Sequence, residues 1–95
     1  MKVFYHPLAE EDIGNILDHY QPIFPALAKA FLKELDLTIA ALSTQPFRYR
    51  FIQEPIRMCK LKRFPYAVLF RVEGDTIRIL VVRHHRRHPS YGLDR

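Results

Sequence analysis

Ninety-five residues with 48% hydrophobic content suit one small domain, 1–95, and exclude a disordered chain. The net charge of +5 is held unevenly: residues 1–45 carry three Lys and six acids (−3), and residues 46–95 carry twelve Lys and Arg and four acids (+8). A single cysteine excludes an internal disulfide, no apolar run nears the ~18 residues of a membrane helix, and the acidic start MKVFYHPLAEED does not read as a signal peptide, so a cytoplasmic protein without membrane association is expected.

Val3-Phe4-Tyr5 predicts a short strand. Pro7 then opens a helix, with Glu10, Glu11 and Asp12 in the early turns, where the helix dipole favours negative charge. Ala9, Ile13, Ile16, Leu17 and Tyr20 recur at helical spacing, and Pro22 ends the run near Tyr20. Pro25 starts a second helix whose stripe is Leu27, Phe31, Leu35, Ile39 and Leu42, and Pro46 stops it. So short a connection predicts an antiparallel helical hairpin.

Residues 47–55 read either as loop or as a short extended piece. Arg57 to Arg63 alternates as a strand, with Cys59 and Leu61 on one face. Tyr66–Glu73 and Thr76–His84 are strands joined by Gly74-Asp75, a two-residue hairpin loop. Val68, Phe70 and Val72, with Ile77, Ile79 and Val81, are expected to line one sheet face. Leu69, Arg71, Arg78, Leu80 and Val82 are expected on the other. Apolar residues on both faces indicate interior strands covered twice. The helices cover one side; a partner or a groove with a basic rim is expected on the second. Pro89–Arg95 reads as a loose tail. The predicted class is α+β: an N-terminal strand and an antiparallel two-helix hairpin on one face of a mainly antiparallel sheet of about four strands.

The last strand runs into Arg83-His84-His85-Arg86-Arg87-His88. Folding does not require so dense a cationic cluster, so an anionic target is the simpler reason for it. Adjacent histidines on a strand face opposite ways, and no carboxylate or cysteine cluster accompanies them. Neither a metal nor another cofactor is expected. Cys59 reads as a small core hydrophobe.

Pro7-Leu8-Ala9-Glu10-Glu11-Asp12-Ile13, Phe64-Pro65-Tyr66 with the apolar run to Phe70-Arg71-Val72, the turn Gly74-Asp75, and Ile77 through His84-His85-Arg86-Arg87 appear in one order. Together they resemble the RelE/ParE superfamily of toxins from type II toxin–antitoxin modules, over nearly the whole chain. The resemblance implies a toxin neutralised by a cognate antitoxin protein, which alone contacts operator DNA. It also implies one of two targets: DNA gyrase, bound without cutting, or the ribosome and its mRNA, cut by an endonuclease.

A nuclease of this family needs cations around the scissile phosphate and a group to take the 2′-hydroxyl proton. The candidates are Lys60, Arg87, His85 and Tyr91. Met58 and Ala67 stand where the family's nucleases place basic residues. The incomplete set and the H-x-R-R ending favour the ParE-like, gyrase-binding branch. The target-binding candidates are then Lys62, Arg71, Arg78, Arg83, His84, Arg86, Arg87 and His88. The ribosome-dependent nuclease is the alternative, and a plain nucleic-acid-binding module is a third reading.

Overall fold

The computed structural model describes residues 1–95. Chain order is β1 (Lys2–Tyr5), α1 (Pro7–Tyr20), α2 (Pro25–Thr44), a 3-10 turn (Pro46–Arg48), β2 (Phe51–Gln53), β3 (Ile56–Lys60), β4 (Tyr66–Glu73) and β5 (Thr76–His84). The five strands form one sheet in the order β1-β5-β4-β3-β2. β1 runs parallel to β5, and the remaining neighbours pair antiparallel. The architecture is the expected one with one strand more: the segment 47–55, which reads as either loop or strand, contributes β2 at the edge. No helix is long and apolar enough to cross a membrane.

Local chemistry sets both helices. His6 is the N-cap of α1, its Nδ1 accepting from the Leu8 N–H at 3.0 Å, and Pro7 supplies the first helical φ. Pro25 does the same for α2, and Gln45-Pro46 ends it. The buried stripe of α2 is Ala28, Phe31, Leu35, Ile39 and Leu42; Leu27 sits half-exposed beside it. This stripe packs with Ala9 and Ile16 of α1 onto Cys59, Leu61, Tyr66, Val68, Phe70, Ile77, Ile79 and Val82. An aromatic knot of Tyr20, Phe31, Phe64 and Tyr66, with centroids 5.4–6.3 Å apart, closes one end of this layer.

Two expectations are corrected on the other face of the sheet. Leu69 pairs with Val81 and Phe70 with Ile79, so Leu80 is the extra residue of a β-bulge. The bulge places both Leu80 and Val81 on the second face and returns Val82 to the helix side. The expected positions of Val81 and Val82 are therefore exchanged. Second, Pro89–Arg95 is not loose. Tyr91 and Leu93 lie on Ala67, Leu69, Leu80, Val81 and Ile56, so the chain covers part of its own second face. Gly92 makes this approach possible: its φ is +80°, and a Cβ there would run into Val81.

β1 ends at Tyr5, opposite Ile79, so β5 has no strand neighbour on that side beyond this point. Side chains complete its backbone. Asp12 Oδ2 accepts from the Val82 N–H at 3.1 Å, and Arg95 Nη1 donates to the Leu80 carbonyl at 2.9 Å. Arg95 Nη1 also lies 2.6 Å from Asp12 Oδ2, and the Tyr91 hydroxyl donates to Asp12 Oδ1 at 2.8 Å. Asp12 is thus the hub that joins α1, β5 and the C-terminal segment. Beside it, burial lowers the Arg95 pKa, but its hydrogen bonds and attraction to Asp12 raise it by more.

Candidate functional site

The sequence-predicted site residues fall into three groups. Arg71 and Arg78 face each other near the Gly74-Asp75 turn, and both pair with Glu73. They stand five residues along β4 from Tyr66, which pairs with His84, or about 17 Å at strand rise. They are therefore not brought to the cluster at the end of β5.

That cluster forms the second group. His84 ends β5 and packs edge-on to Tyr66 at 5.2 Å. A turn follows: the Arg86 N–H donates to His84 Nδ1 at 3.0 Å, the Arg87 N–H to the His84 carbonyl, and the His85 N–H to the Pro65 carbonyl. The side chains of His85, Arg86, Arg87 and His88 are exposed. Arg87 stacks on the Tyr91 ring at 4.6 Å. Arg83 is half-buried and donates only to the Pro89 and Tyr91 carbonyls, both at 2.9 Å. Burial without a carboxylate partner lowers its pKa. Burial and the neighbouring Tyr20 hydroxyl push Tyr66 up to about 12. It is therefore a neutral phenol at physiological pH.

Lys60 and Lys62 belong to the third group. The β3–β4 loop is tied to α2, because Glu34 Oε2 accepts from the Lys62 and Arg63 N–H groups at 2.8 and 3.0 Å. Between α2 and this loop runs a groove of about 730 Å³. Ala30, Leu37 and Ala41 give it an apolar wall, and Lys33, Lys60, Lys62 and Arg63 a cationic rim. Leu37 is 63% exposed. β2 pairs with residues 56 and 57 and the Arg50 carbonyl accepts from the Met58 N–H, so the edge of β3 is open beside the groove only beyond Met58.

The four nuclease candidates are only partly assembled. Arg87 and Tyr91 touch; His85 is exposed on the turn. Lys60 pairs with Ala67, and Ala67 pairs with Arg83. A cross-strand row of Lys60, Ala67 and Arg83 therefore has a methyl group at its centre, with its cations two strand spacings apart, about 10 Å. The Tyr91 hydroxyl, a candidate proton carrier, is engaged by Asp12.

Sequence reading misses the roles of Asp12, Arg95 and Arg57. Asp12 reads as a dipole residue, yet Ala9, Asp12 and Ile16 are spaced three and four apart, the interval of the buried stripe; that spacing is the available signal. Arg57 stacks on Phe51 at 3.9 Å and on Phe47 at 5.3 Å, and it donates to the Phe47 and Tyr49 carbonyls. It holds the 47–51 segment in place, and nothing in its sequence neighbourhood announces that role.

No curated protein matches the chain. Among solved structures, a chain from "Chromosomal ParDE TA system from P. aeruginosa" superposes with a TM-score of 0.79 at 24% identity, covering 88% of this chain and 95% of that one. This likeness shows the fold. The family described as "ParE toxin of type II toxin-antitoxin system, parDE" matches residues 3–89. With nearly the whole domain matched, the chain belongs to the ParE toxin family of type II toxin–antitoxin systems.

Proposed function

We propose that this toxin stops growth by binding DNA gyrase through the rim at the end of β5, without cutting nucleic acid itself. A cognate antitoxin neutralises it by laying an acidic, amphipathic segment into the groove between α2 and the β3–β4 loop. The observation that carries the non-cutting reading is the row Lys60–Ala67–Arg83, which lacks a central cation, together with the engagement of Tyr91 by Asp12. A phosphate transition state needs charge already placed where charge develops; here the centre of the row is apolar. The groove supports the antitoxin reading. Its apolar wall suits the apolar stripe of a helix, and its Lys and Arg rim suits acidic flanks.

The contact between Arg87 and Tyr91 favours a second reading, a ribosome-dependent nuclease built on Arg87, Lys60 and His85. Inducing the chain alone separates the two. The proposal expects growth arrest with DNA-damage signalling and intact translated mRNA. In-frame mRNA cuts at the onset of arrest, with normal supercoiling, would establish the nuclease instead.

A further inference from the structure

A second concavity lies where α1 meets the end of β5. It measures about 190 Å³, and Asn15, Ile16 and His19 of α1 face Arg83, His84, Arg87 and Tyr91 across it. At ~30 Å³ per water it holds about six waters, room for one small charged group but not for a metabolite-sized ligand.

Its electrostatics are one-sided. Asp12 sits in the wall, but its carboxylate is engaged by Arg95, the Tyr91 hydroxyl and the Val82 N–H. The ion pairs of the molecule are Arg71–Glu73, Arg78–Glu73 and Arg95–Asp12. Arg83 and Arg87 both line the cleft, and neither has a carboxylate partner. Arg83 uses Nη1 for two carbonyls, leaving the Nε and Nη2 hydrogens without a protein partner. Arg87 is held by the face of Tyr91, which orients a guanidinium without using its N–H groups. His84 accepts at Nδ1, so its neutral ring carries the proton at Nε2 as a donor. Asn15 and His19 add donors from the opposite wall.

We infer that this cleft is a phosphate-binding site, taking a single phosphate group between the guanidiniums of Arg83 and Arg87, with His84, His19 and Asn15 completing its hydrogen bonds. Two guanidinium forks with donors from a facing helix suit a tetrahedral oxoanion better than a planar carboxylate. Arg86, His85 and His88 continue the positive surface outside the mouth, which suits a phosphate that belongs to a longer polyanion. Phosphate binding here does not depend on gyrase being the target.

The test is amide and Arg side-chain shift mapping by NMR on the intact chain. It is titrated with inorganic phosphate and, separately, with the phosphodiester dinucleotide TpT, each against sodium chloride at equal ionic strength. The expected result is perturbation at Asn15, His19 and Val82–Arg87. The apparent affinity should drop about tenfold or more in Arg87→Gln, the loss of one charge-assisted contact. Response to TpT identifies a nucleic-acid backbone as the source; response to inorganic phosphate alone identifies a free or terminal phosphate. His19→Gln, on the exposed side of α1, is the second variant and should weaken binding without unfolding the chain. Perturbation no greater than chloride's, perturbation unchanged by both variants, or perturbation confined to Lys33, Lys60 and Lys62 would overturn the inference. A chain that inhibits gyrase yet shows no cleft perturbation sinks this inference alone, and the converse result sinks only the gyrase reading.

Discussion

Asp12 and Arg95, 83 residues apart in sequence, form the molecule's one buried ion pair, with side chains 5% and 8% exposed. The pair fixes the C-terminal segment over the second face of the sheet, and with it Tyr91, on which Arg87 rests. The shape of the cationic cluster at the end of β5 thus depends on a carboxylate in the first helix.

Removing that carboxylate strands Arg95 and leaves the Val82 N–H unpaired. Asp12→Ala is expected to cost about 3 kcal/mol of unfolding free energy, within the range for breaking a buried pair. Urea denaturation measures the loss. Hydrogen exchange should show residues 91–95 losing protection before the helices do.

Gly92 and Gly14 are expected to respond in opposite directions. Gly92→Ala forces a left-handed φ on alanine and pushes its Cβ into Val81, so about 1–3 kcal/mol is lost. Gly14 lies inside α1, and a Cβ added there meets nothing within 4 Å, so Gly14→Ala should gain about 0.5–1 kcal/mol. Thermal unfolding of the two variants checks both signs.

Alkaline pH is expected to weaken the fold through Tyr66. Its phenol ionises near 10 when unfolded and at about 12 when folded. The unfolded state therefore loses its proton first. The stability this group contributes is fully present below pH 10 and is lost as pH rises toward 12, on the order of 2 kcal/mol. Tyr66→Phe should flatten the fall over that window. Burial also raises Tyr5 and Tyr49, so part of the decline should remain.

Much of this architecture is legible in the sequence because prolines punctuate it. Pro7, Pro22, Pro25 and Pro46 mark both helices, and Gly74-Asp75 marks the hairpin. The bulge at Leu80 is not legible: Ile77 through Val82 is almost uniformly apolar, so no alternation records where the face switches. β2 is three residues long and held by Arg57 stacked on Phe47 and Phe51, a contact that local pattern does not encode. The rim is visible as a run of Arg and His, but its division from Arg71 and Arg78 depends on strand length and on Glu73. The role of Pro89–Arg95 depends on Asp12, and only the folded chain brings the two together.

The groove yields its own expectation. Leu37→Glu places a charge on an exposed apolar wall, so it should leave stability within about 0.5 kcal/mol of the parent. It should weaken antitoxin binding about tenfold or more, as should Lys60→Glu. Calorimetric titration with an antitoxin that rescues growth when co-expressed with this chain measures both.

The central claim is that the rim at the end of β5 grips gyrase. The most direct measurement is supercoiling by purified gyrase in the presence of the purified chain. Inhibition by the parent chain is expected, lost about tenfold or more when Arg86 and Arg87 are both replaced by Glu, with plasmid DNA uncut when gyrase is absent. Full supercoiling in a large molar excess of the folded chain, or undiminished inhibition by the double variant, would contradict it.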